Sequence, residues 1–278
     1  MSLVRNLENI SFKSIHVQKV RPKKNLGQHF LNDVSIAKEI VDTLVLPDDC
    51  KQVLEVGPGM GVLTDFLFEK KDLHVKVIEI DKESINYLNG KFPDRADDIM
   101  EGDFLRIDFH KYFPGNFVVI GNFPYNISTQ ILFKVLDNRE SIPEIVGMFQ
   151  KEVAERIAGD PGGREYGILS VFMQTWFDVK LVRVLNENDF TPPPKVKSAV
   201  LHFIRKKNFV LQCDETAFRR VVKTAFNQRR KTLRNALSSL VTKELSNKIP
   251  FAELRAEALS WEKFVELTNA VEKLISGK

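Results

Sequence analysis

Short apolar runs alternate along the first two thirds of the chain with segments whose apolar residues recur at helical spacing. The runs predict buried strands over residues 52–56, 75–80, 98–101, 117–120 and 144–149. Helices are predicted after the N-cap candidate Asp33 and over residues 62–69, 82–88, 129–136 and 152–157. Two later β-rich runs, 179–185 and 198–204, fit an antiparallel edge. The alternation predicts an α/β fold with a mostly parallel, seven-stranded sheet.

The pattern changes near residue 207. Beyond it the β-character disappears, and apolar residues recur at helical spacing at Phe218, Val221, Val222, Ala225 and Phe226, and again at Leu233, Ala236, Leu237 and Leu240. The expected organisation is a flexible basic arm over 1–24, an α/β domain over 25–207 and a small α-helical domain over 208–278. Gly- and Pro-rich segments at 159–164 and 191–194 predict surface loops.

Composition narrows the class of protein. Of the 278 residues, 43% are apolar and 28% are charged, which is typical of a globular protein. No apolar run approaches the roughly 20 residues that span a bilayer, so we expect no membrane association and a cytoplasmic location. The two cysteines and five histidines show no metal-binding spacing, so no metal is expected. Residues 208–278 hold 13 basic and 8 acidic residues, and this positive excess favours a polyanionic partner.

The first predicted strand ends in a glycine-rich turn, Gly57-Pro58-Gly59-Met60-Gly61. Such a turn between a strand and a helix lets the backbone approach a nucleotide ligand at the edge of the sheet. The next two strands end at Glu79 and at Asp103. An acid about 20 residues past the glycines accepts hydrogen bonds from ribose hydroxyls, and Asp103 can accept from an exocyclic amine. These features fit either NAD or S-adenosylmethionine.

The fourth strand of the predicted sheet runs into Asn122-Phe123-Pro124-Tyr125, which is the most specific motif in the chain. It resembles the Asn/Asp-Pro-Pro-Tyr motif of amino-methyltransferases. The amine at N6 of adenine is a poor nucleophile because its lone pair is delocalised into the ring. The side-chain oxygen of Asn122 and the carbonyl of Phe123 can accept its two hydrogens and favour a pyramidal nitrogen, while Pro124 fixes the turn and Tyr125 stacks on the base.

Four segments together resemble the KsgA-type ribosomal RNA adenine N6,N6-dimethyltransferases. They are Lys-Asn-Leu-Gly-Gln-His-Phe-Leu at 24–31, the motif at 122–125, Asp-Phe-Thr-Pro-Pro-Pro-Lys-Val at 189–196, and Ala-Phe-Asn-Gln-Arg-Arg-Lys-Thr-Leu-Arg at 225–234. The resemblance implies a Rossmann-like class I methyltransferase fold with a helical C-terminal domain. It also implies that the protein transfers methyl groups from S-adenosyl-L-methionine to two adjacent adenosines in a hairpin loop near the 3′ end of small-subunit rRNA.

The resemblance also implies roles for individual residues. Cofactor contacts are expected from His29, Leu31, Gly57, Gly59, Glu79, Asp103 and Asn122. The catalytic set is Asn122, Phe123, Pro124 and Tyr125, together with Phe190, whose ring is expected to pack against the flipped adenine. Many members of the family carry Asn where this chain has His29, so its cofactor contact is expected through the backbone or a ring nitrogen.

The segment from Arg219 to Arg234 holds seven basic residues and no acid. An all-positive run of this kind favours RNA binding, and the family resemblance places Arg229, Arg230, Lys231 and Arg234 at the RNA. The expected partner is rRNA within an immature small ribosomal subunit, bound by a monomer.

Three alternative functions share part of this sequence pattern. A large-subunit rRNA adenine methyltransferase of the antibiotic-resistance type shares the catalytic motif, but the 191–196 and 229–234 segments favour the small-subunit enzyme. A non-catalytic RNA-binding or assembly factor would not need the intact motif at 122–125. A NAD dehydrogenase would have no purpose for Asn-Phe-Pro-Tyr.

Overall fold

The computed structural model describes residues 20–47 and 50–277. Most of the predicted basic arm, residues 1–24, therefore lies outside the described residues. Nine strands are described: β1 Phe30–Leu31, β2 Gln52–Val56, β3 His74–Glu79, β4 Ile99–Glu101, β5 Val118–Asn122, β6 Glu144–Gln150, β7 Phe177–Leu185, β8 Phe190–Thr191 and β9 Ser198–Arg205.

Seven of these strands form one sheet in the order β4-β3-β2-β5-β6-β9-β7. The first five in this order are parallel, and β9 is antiparallel to both β6 and β7. This confirms the predicted mostly parallel sheet with an antiparallel edge. Because β2, β3 and β5 run in the same direction, their carboxyl ends meet at one edge, where ligands bind in open α/β sheets.

The described helices are α1 Val34–Asp42, α2 Val62–Glu69, α3 Lys82–Lys91, α4 Ser128–Asp137, α5 Lys151–Ala158, α6 Ile168–Trp176, α7 Glu215–Asn227, α8 Leu233–Ala236 and α9 Trp261–Ser276. Asp33 caps α1 by accepting hydrogen bonds from the backbone N–H groups of Ser35 and Ile36, and Asp81 caps α3 in the same way. The sequence did not predict α6, because it is buried on nearly all sides and lacks a polar face. None of the described helices is long and apolar enough to cross a membrane.

Two hydrophobic clusters cover the two faces of the sheet. Residues of α1 and α2, such as Ile36 and Leu63, pack with Val53 in the smaller cluster. The larger cluster joins Leu54 on the opposite face to α4 and α6, and it continues into the C-terminal helices through Phe218. The α/β part and the helical part therefore share one core, and the division of the chain at residue 207 stays a prediction.

A small ribbon of two strands lies apart from the main sheet. Antiparallel β1 and β8 pair Phe30 with Thr191 and Leu31 with Phe190. The backbone N–H of Asn32 also donates to the carbonyl of Asp189 at 2.8 Å. The ribbon joins residues 23–31, which we call the opening segment, to the proline-rich segment at 191–194, although 160 residues separate them in the sequence. Two-residue strands are too short to show a sequence period, which is why the pattern did not predict the ribbon.

Candidate active site

A cavity opens at the carboxyl edge of β2, β3 and β5, and the opening segment covers one side of it. We call it the cofactor cavity. Nine residues predicted from the sequence line it: His29, Gly57, Gly59, Glu79, Asp103, Asn122, Phe123, Pro124 and Tyr125. Leu31 lines an adjoining cavity that shares Gly57 and Asn122 with the first. The fold therefore brings together residues from five separate parts of the sequence.

The turn after β2 brings its backbone against the opening segment. Gly57 and Gly59 both have positive φ angles, +67° and +58°, which suit glycine. A Cβ atom on Gly59 would lie 2.7 Å from the ring of Phe30, closer than any ordinary contact. Glycine at this position is therefore required both by the backbone conformation and by the approach of Phe30, which the sequence did not single out.

Glu79 lies at the end of β3 with only 5% of its surface exposed. Its carboxylate accepts hydrogen bonds from the backbone N–H groups of Gly59 at 3.2 Å, Ile80 at 2.8 Å and Asp81 at 2.9 Å. Burial raises the pKa of Glu79, and these three hydrogen bonds partly oppose the shift. A carboxylate has about four acceptor sites, so one remains for a ligand hydroxyl in the cavity.

Asp103 follows β4 on the same edge of the sheet. One carboxylate oxygen accepts from the backbone N–H of Leu105 at 2.9 Å. The side chain is 30% exposed, and Arg106 lies 3.4 Å from its other oxygen. This arrangement leaves an oriented acceptor at the cavity wall, and Leu105, which the sequence did not predict, supplies an apolar neighbour.

Asn122 is the last residue of β5, and a hydrogen bond fixes the orientation of its amide. The side-chain Nδ2 donates to the main-chain carbonyl of His29 at 2.7 Å. Since a carbonyl can only accept, the amide nitrogen must face His29, and Oδ1 is left as an acceptor. The ring of Phe123 is fully buried and packs edge-on against Phe149, with ring centroids 5.3 Å apart. Phe123 therefore meets the cavity through its main chain, as its predicted role requires.

The ring of Tyr125 is positioned by a hydrogen bond to its hydroxyl and by a stacking contact on one face. Its hydroxyl forms a hydrogen bond with the hydroxyl of Ser198, a buried residue of β9 that the sequence did not single out. The ring of His29 stacks on it with centroids 5.4 Å apart and planes inclined by 26°. Burial raises the pKa of Tyr125, so the phenol stays protonated at neutral pH.

The opening segment is tied down by polar contacts at several points. Lys23 forms an ion pair with the buried Asp81, and Gln28 Nε2 lies 3.4 Å from the same carboxylate. The ring Nδ1 of His29 lies 2.7 Å from the carbonyl of Pro192. These contacts hold the segment against β3 on one side and the proline-rich segment on the other, so that it forms one wall of the cofactor cavity.

Phe190 lies in the hydrophobic core, outside the lining of the cofactor cavity. Its side chain is 2% exposed and belongs to the smaller hydrophobic cluster with Leu31 and Ile36. Residues alternate between the two sides of a strand, so in β8 Phe190 points into the core while Thr191 is exposed. Phe190 is absent from the lining of the cofactor cavity. In this arrangement Phe190 supports β1, and the packing of its ring against a flipped adenine stays a prediction.

The four residues predicted to bind RNA divide into two pairs. Arg229 donates to the carbonyl of Arg164 and lies 3.7 Å from Glu257, and Arg234 forms a 2.7 Å ion pair with Glu253. Arg230 and Lys231 are exposed. Among the described residues, neither of their charged groups has a hydrogen bond or ion pair. The second pair is therefore freely available to a polyanion.

The adjoining cavity contains a buried carboxylate that the sequence did not single out. Glu55 of β2 accepts a hydrogen bond from the hydroxyl of Thr64 at 2.6 Å. Its burial raises its pKa to about 8, although the hydrogen bond from Thr64 opposes this shift. Lys91, which pairs with Asp65 at 2.6 Å, lines the same cavity. In the described part of the chain, no group of three or more His, Cys, Asp or Glu side chains is arranged to hold a metal ion.

Comparison with known proteins assigns the chain to a family. The sequence model of the family described as "Ribosomal RNA adenine dimethylase" matches residues 19–275. A protein from Cytophaga hutchinsonii, named "Ribosomal RNA small subunit methyltransferase A", is 54% identical over 262 residues, which are 94% of this chain and 100% of that protein. A protein of the same name from Parabacteroides distasonis is also 54% identical, over 91% of this chain and 95% of its own length.

Solved structures share the fold. A dimethyladenosine transferase from Plasmodium falciparum superposes with a TM-score of 0.73 and 25% identity, over 88% of this chain and 98% of its own. The 23S rRNA methyltransferase ErmE superposes with a TM-score of 0.68 at 24% identity, over 87% of this chain and 99% of its own, which is evidence of the fold alone. The family match, the close relatives and the Asn122–Tyr125 site at the carboxyl edge of the sheet lead to one conclusion: the chain belongs to the ribosomal RNA adenine dimethylase family.

Proposed function

We propose that this protein transfers methyl groups from S-adenosyl-L-methionine to N6 of two adjacent adenosines in a hairpin loop near the 3′ end of 16S rRNA, giving N6,N6-dimethyladenosine. The observation that carries the proposal is the amide of Asn122. Its nitrogen is bound to the carbonyl of His29, so its oxygen is available to the cavity as an acceptor. The next residue, Phe123, offers only its main chain to the same cavity.

The cavity walls fit the cofactor. Gly57 and Gly59 present no side chain to a ligand, and a Cβ on Gly59 would meet Phe30. Glu79 has an acceptor site for a ribose hydroxyl, and Asp103 has a preoriented carboxylate for an adenine amine. Leu31 and Glu55 line the adjoining cavity. When bound, S-adenosylmethionine supplies an electrophilic methyl group on a positively charged sulfur.

The chain's own residues activate the amine. Oδ1 of Asn122 and the carbonyl of Phe123 accept the two N–H groups of N6, which withdraws the nitrogen lone pair from the adenine ring and directs it outward. Tyr125 holds the base by stacking, with its hydroxyl bound to Ser198. Because both acceptors are fixed before the base enters, they stabilise the developing charge without reorganisation. Positioning lowers the rest of the barrier, and the scheme needs no strong general base.

The proposed partner is rRNA in an immature small ribosomal subunit, bound by a cytoplasmic monomer. The names of the 54% identical relatives support small-subunit rRNA as the substrate. The exposed Arg230 and Lys231 offer charge to its phosphates. A large-subunit rRNA methyltransferase remains the runner-up, since ErmE has the same fold.

Primer extension across both rRNAs distinguishes the two substrates. Ribosomal subunits from cells that lack the modification would be incubated with the purified protein and S-adenosylmethionine. The proposal predicts new stops at two adjacent adenosines near the 3′ end of the small-subunit rRNA. Stops confined to the large-subunit rRNA would support the runner-up instead.

A further inference from the structure

A groove adjoins the cofactor cavity, and the two share Gly27, Gln28, His29 and Tyr125 in their walls. We call it the proline groove, because Pro22 lies on one side of it and the segment Pro192–Val196 on the other. Its volume is about 590 Å³, which is within the range of ligand-binding clefts. The groove therefore adjoins the place where the methyl transfer is proposed to occur, and His29 and Tyr125 belong to the walls of both.

The charged side chains that line the proline groove are both positive. Lys24 and Lys195 are exposed on its two sides, and no Asp or Glu lines it. Among the described residues, neither ammonium group has a hydrogen bond or an ion pair. The adjacent Lys23, by contrast, is engaged by Asp81. Two free cations facing one groove with no acid attract a polyanion.

Apart from Gln28 and Gln150, the remaining surface of the groove is formed largely by proline, valine and aromatic side chains. Pro192 and Pro193 are exposed, and Val196 is 43% exposed. The ring of His29 is fixed at the boundary of the groove, because its Nδ1 donates to the carbonyl of Pro192 at 2.7 Å. Proline rings and a fixed aromatic pair give flat surfaces against which sugars and bases can pack.

We propose that the proline groove binds the single-stranded RNA next to the target adenosine, with Lys24 and Lys195 contacting phosphates. The inference rests on the proposed function and extends it to a second surface. When the target base enters the cavity beside Asn122, the nucleotides joined to it must leave along the adjoining surface. The shared wall of His29 and Tyr125 makes the groove that surface. A protein segment would also fit an apolar groove, but the two lysines and the absence of any Asp or Glu from the lining favour RNA.

The test compares Lys24→Ala, Lys195→Ala and the double variant with Lys51→Ala. Lys51 is an exposed lysine that immediately precedes β2, at the opposite edge of the sheet. Binding of small ribosomal subunits that lack the modification would be measured over a range of salt concentrations. Each lost phosphate contact should reduce the log–log salt slope by about 0.7, the value for single strands. The double variant should raise KM for the subunits about tenfold, and Lys→Arg at both positions should restore it. Lys51→Ala should match the wild type.

Binding of S-adenosyl-L-homocysteine should stay at the wild-type level in all these variants, because Lys24 and Lys195 do not line the cofactor cavity. An unchanged salt slope in the double variant would overturn the proposal. Weaker binding to subunits with unchanged binding to an isolated rRNA hairpin would assign the groove to a ribosomal protein, which also overturns it. If the wild type methylates no adenosine, the proposed function fails while the salt slopes still decide the role of the groove.

Discussion

The side-chain amide of Asn122 donates a hydrogen bond to the main-chain carbonyl of His29 at 2.7 Å. Asn122 ends β5, whereas His29 belongs to the opening segment that covers the cofactor cavity. The bond therefore makes the orientation of the acceptor oxygen depend on the position of that segment. An acceptor fixed in this way contributes more to the transition state than to the ground state, because it needs no reorganisation as the amine becomes tetrahedral.

Asn122→Ala should slow methyl transfer by about 10²–10³, the usual effect of losing one preorganised electrostatic partner. Single-turnover assays at saturating cofactor measure this rate directly. Circular dichroism and RNA-binding measurements should give nearly wild-type results, which separates a catalytic effect from a folding defect. Methylation at the wild-type rate would remove Asn122 from the mechanism.

Replacements of Tyr125 should separate the ring from its hydroxyl. Tyr125→Phe keeps the stacking surface and loses only the bond to Ser198, so it should retain substantial activity. Tyr125→Ala loses a stacking interaction of about 1–3 kcal/mol and should both raise KM for RNA and slow turnover. Equal inactivity of the Phe and Ala variants would show that the hydroxyl, and not the ring, is essential.

Phe190→Ala should act mainly on stability. The side chain is 2% exposed within the core beneath β1, so its removal should lower the free energy of unfolding by about 3–5 kcal/mol. Chemical denaturation gives this value, and Phe190→Leu should recover much of it. A variant of normal stability with a raised KM for RNA would instead support the stacking role predicted from the sequence.

The basic residues of the C-terminal segment should contribute unequally to the salt dependence of RNA binding. Replacing Arg230 and Lys231 with Ala should reduce the log–log salt slope of RNA binding by roughly one unit per lost phosphate contact. Replacing Arg229 and Arg234 should change the slope less, because Glu257 and Glu253 already lie beside them. The same salt titration on both double variants makes the comparison, and equal slopes for the two would contradict it.

Glu55 should make the stability of the free protein depend on pH. Its pKa is raised from 4.5 to about 8 by burial, so between these values the folded chain holds a proton that the unfolded chain has released. Its contribution is therefore fully present below the unfolded pKa and is lost as the pH rises through the folded pKa, by at most about 1.4 kcal/mol per pH unit. Urea unfolding at about pH 5 and about pH 8 should show that Glu55→Gln removes this part of the decline. Parallel pH profiles for both proteins would contradict the assignment.

The long, periodic elements and the residues at strand ends were predictable from the sequence. The bounds of β2 and α2 agree with their predicted residues. Each of these elements has a clear apolar period, and a glycine turn separates the two. Gly57, Glu79, Asp103 and Asn122 were predicted to meet because the carboxyl ends of parallel strands share one edge.

Contacts between distant parts of the chain were not predictable. The pairing of Phe30 with Thr191 involves strands too short to show a period, and it decides that Phe190 faces the core. The bond between Tyr125 and Ser198 joins residues 73 positions apart. Nothing in the sequence around either residue indicates that the other is its partner. Which arginines are already paired depends likewise on tertiary contacts, as with Arg234 and Glu253.

The proposed dimethylation can be measured as methyl transfer to small ribosomal subunits from cells that lack the modification. The purified protein would be incubated with these subunits and radiolabelled S-adenosylmethionine, and the rRNA would then be digested to nucleosides and separated. Label is expected in N6,N6-dimethyladenosine, with about four methyl groups per subunit for two dimethylated adenosines and little label with Asn122→Ala. Label in another nucleoside, or none with the wild-type protein, would contradict it.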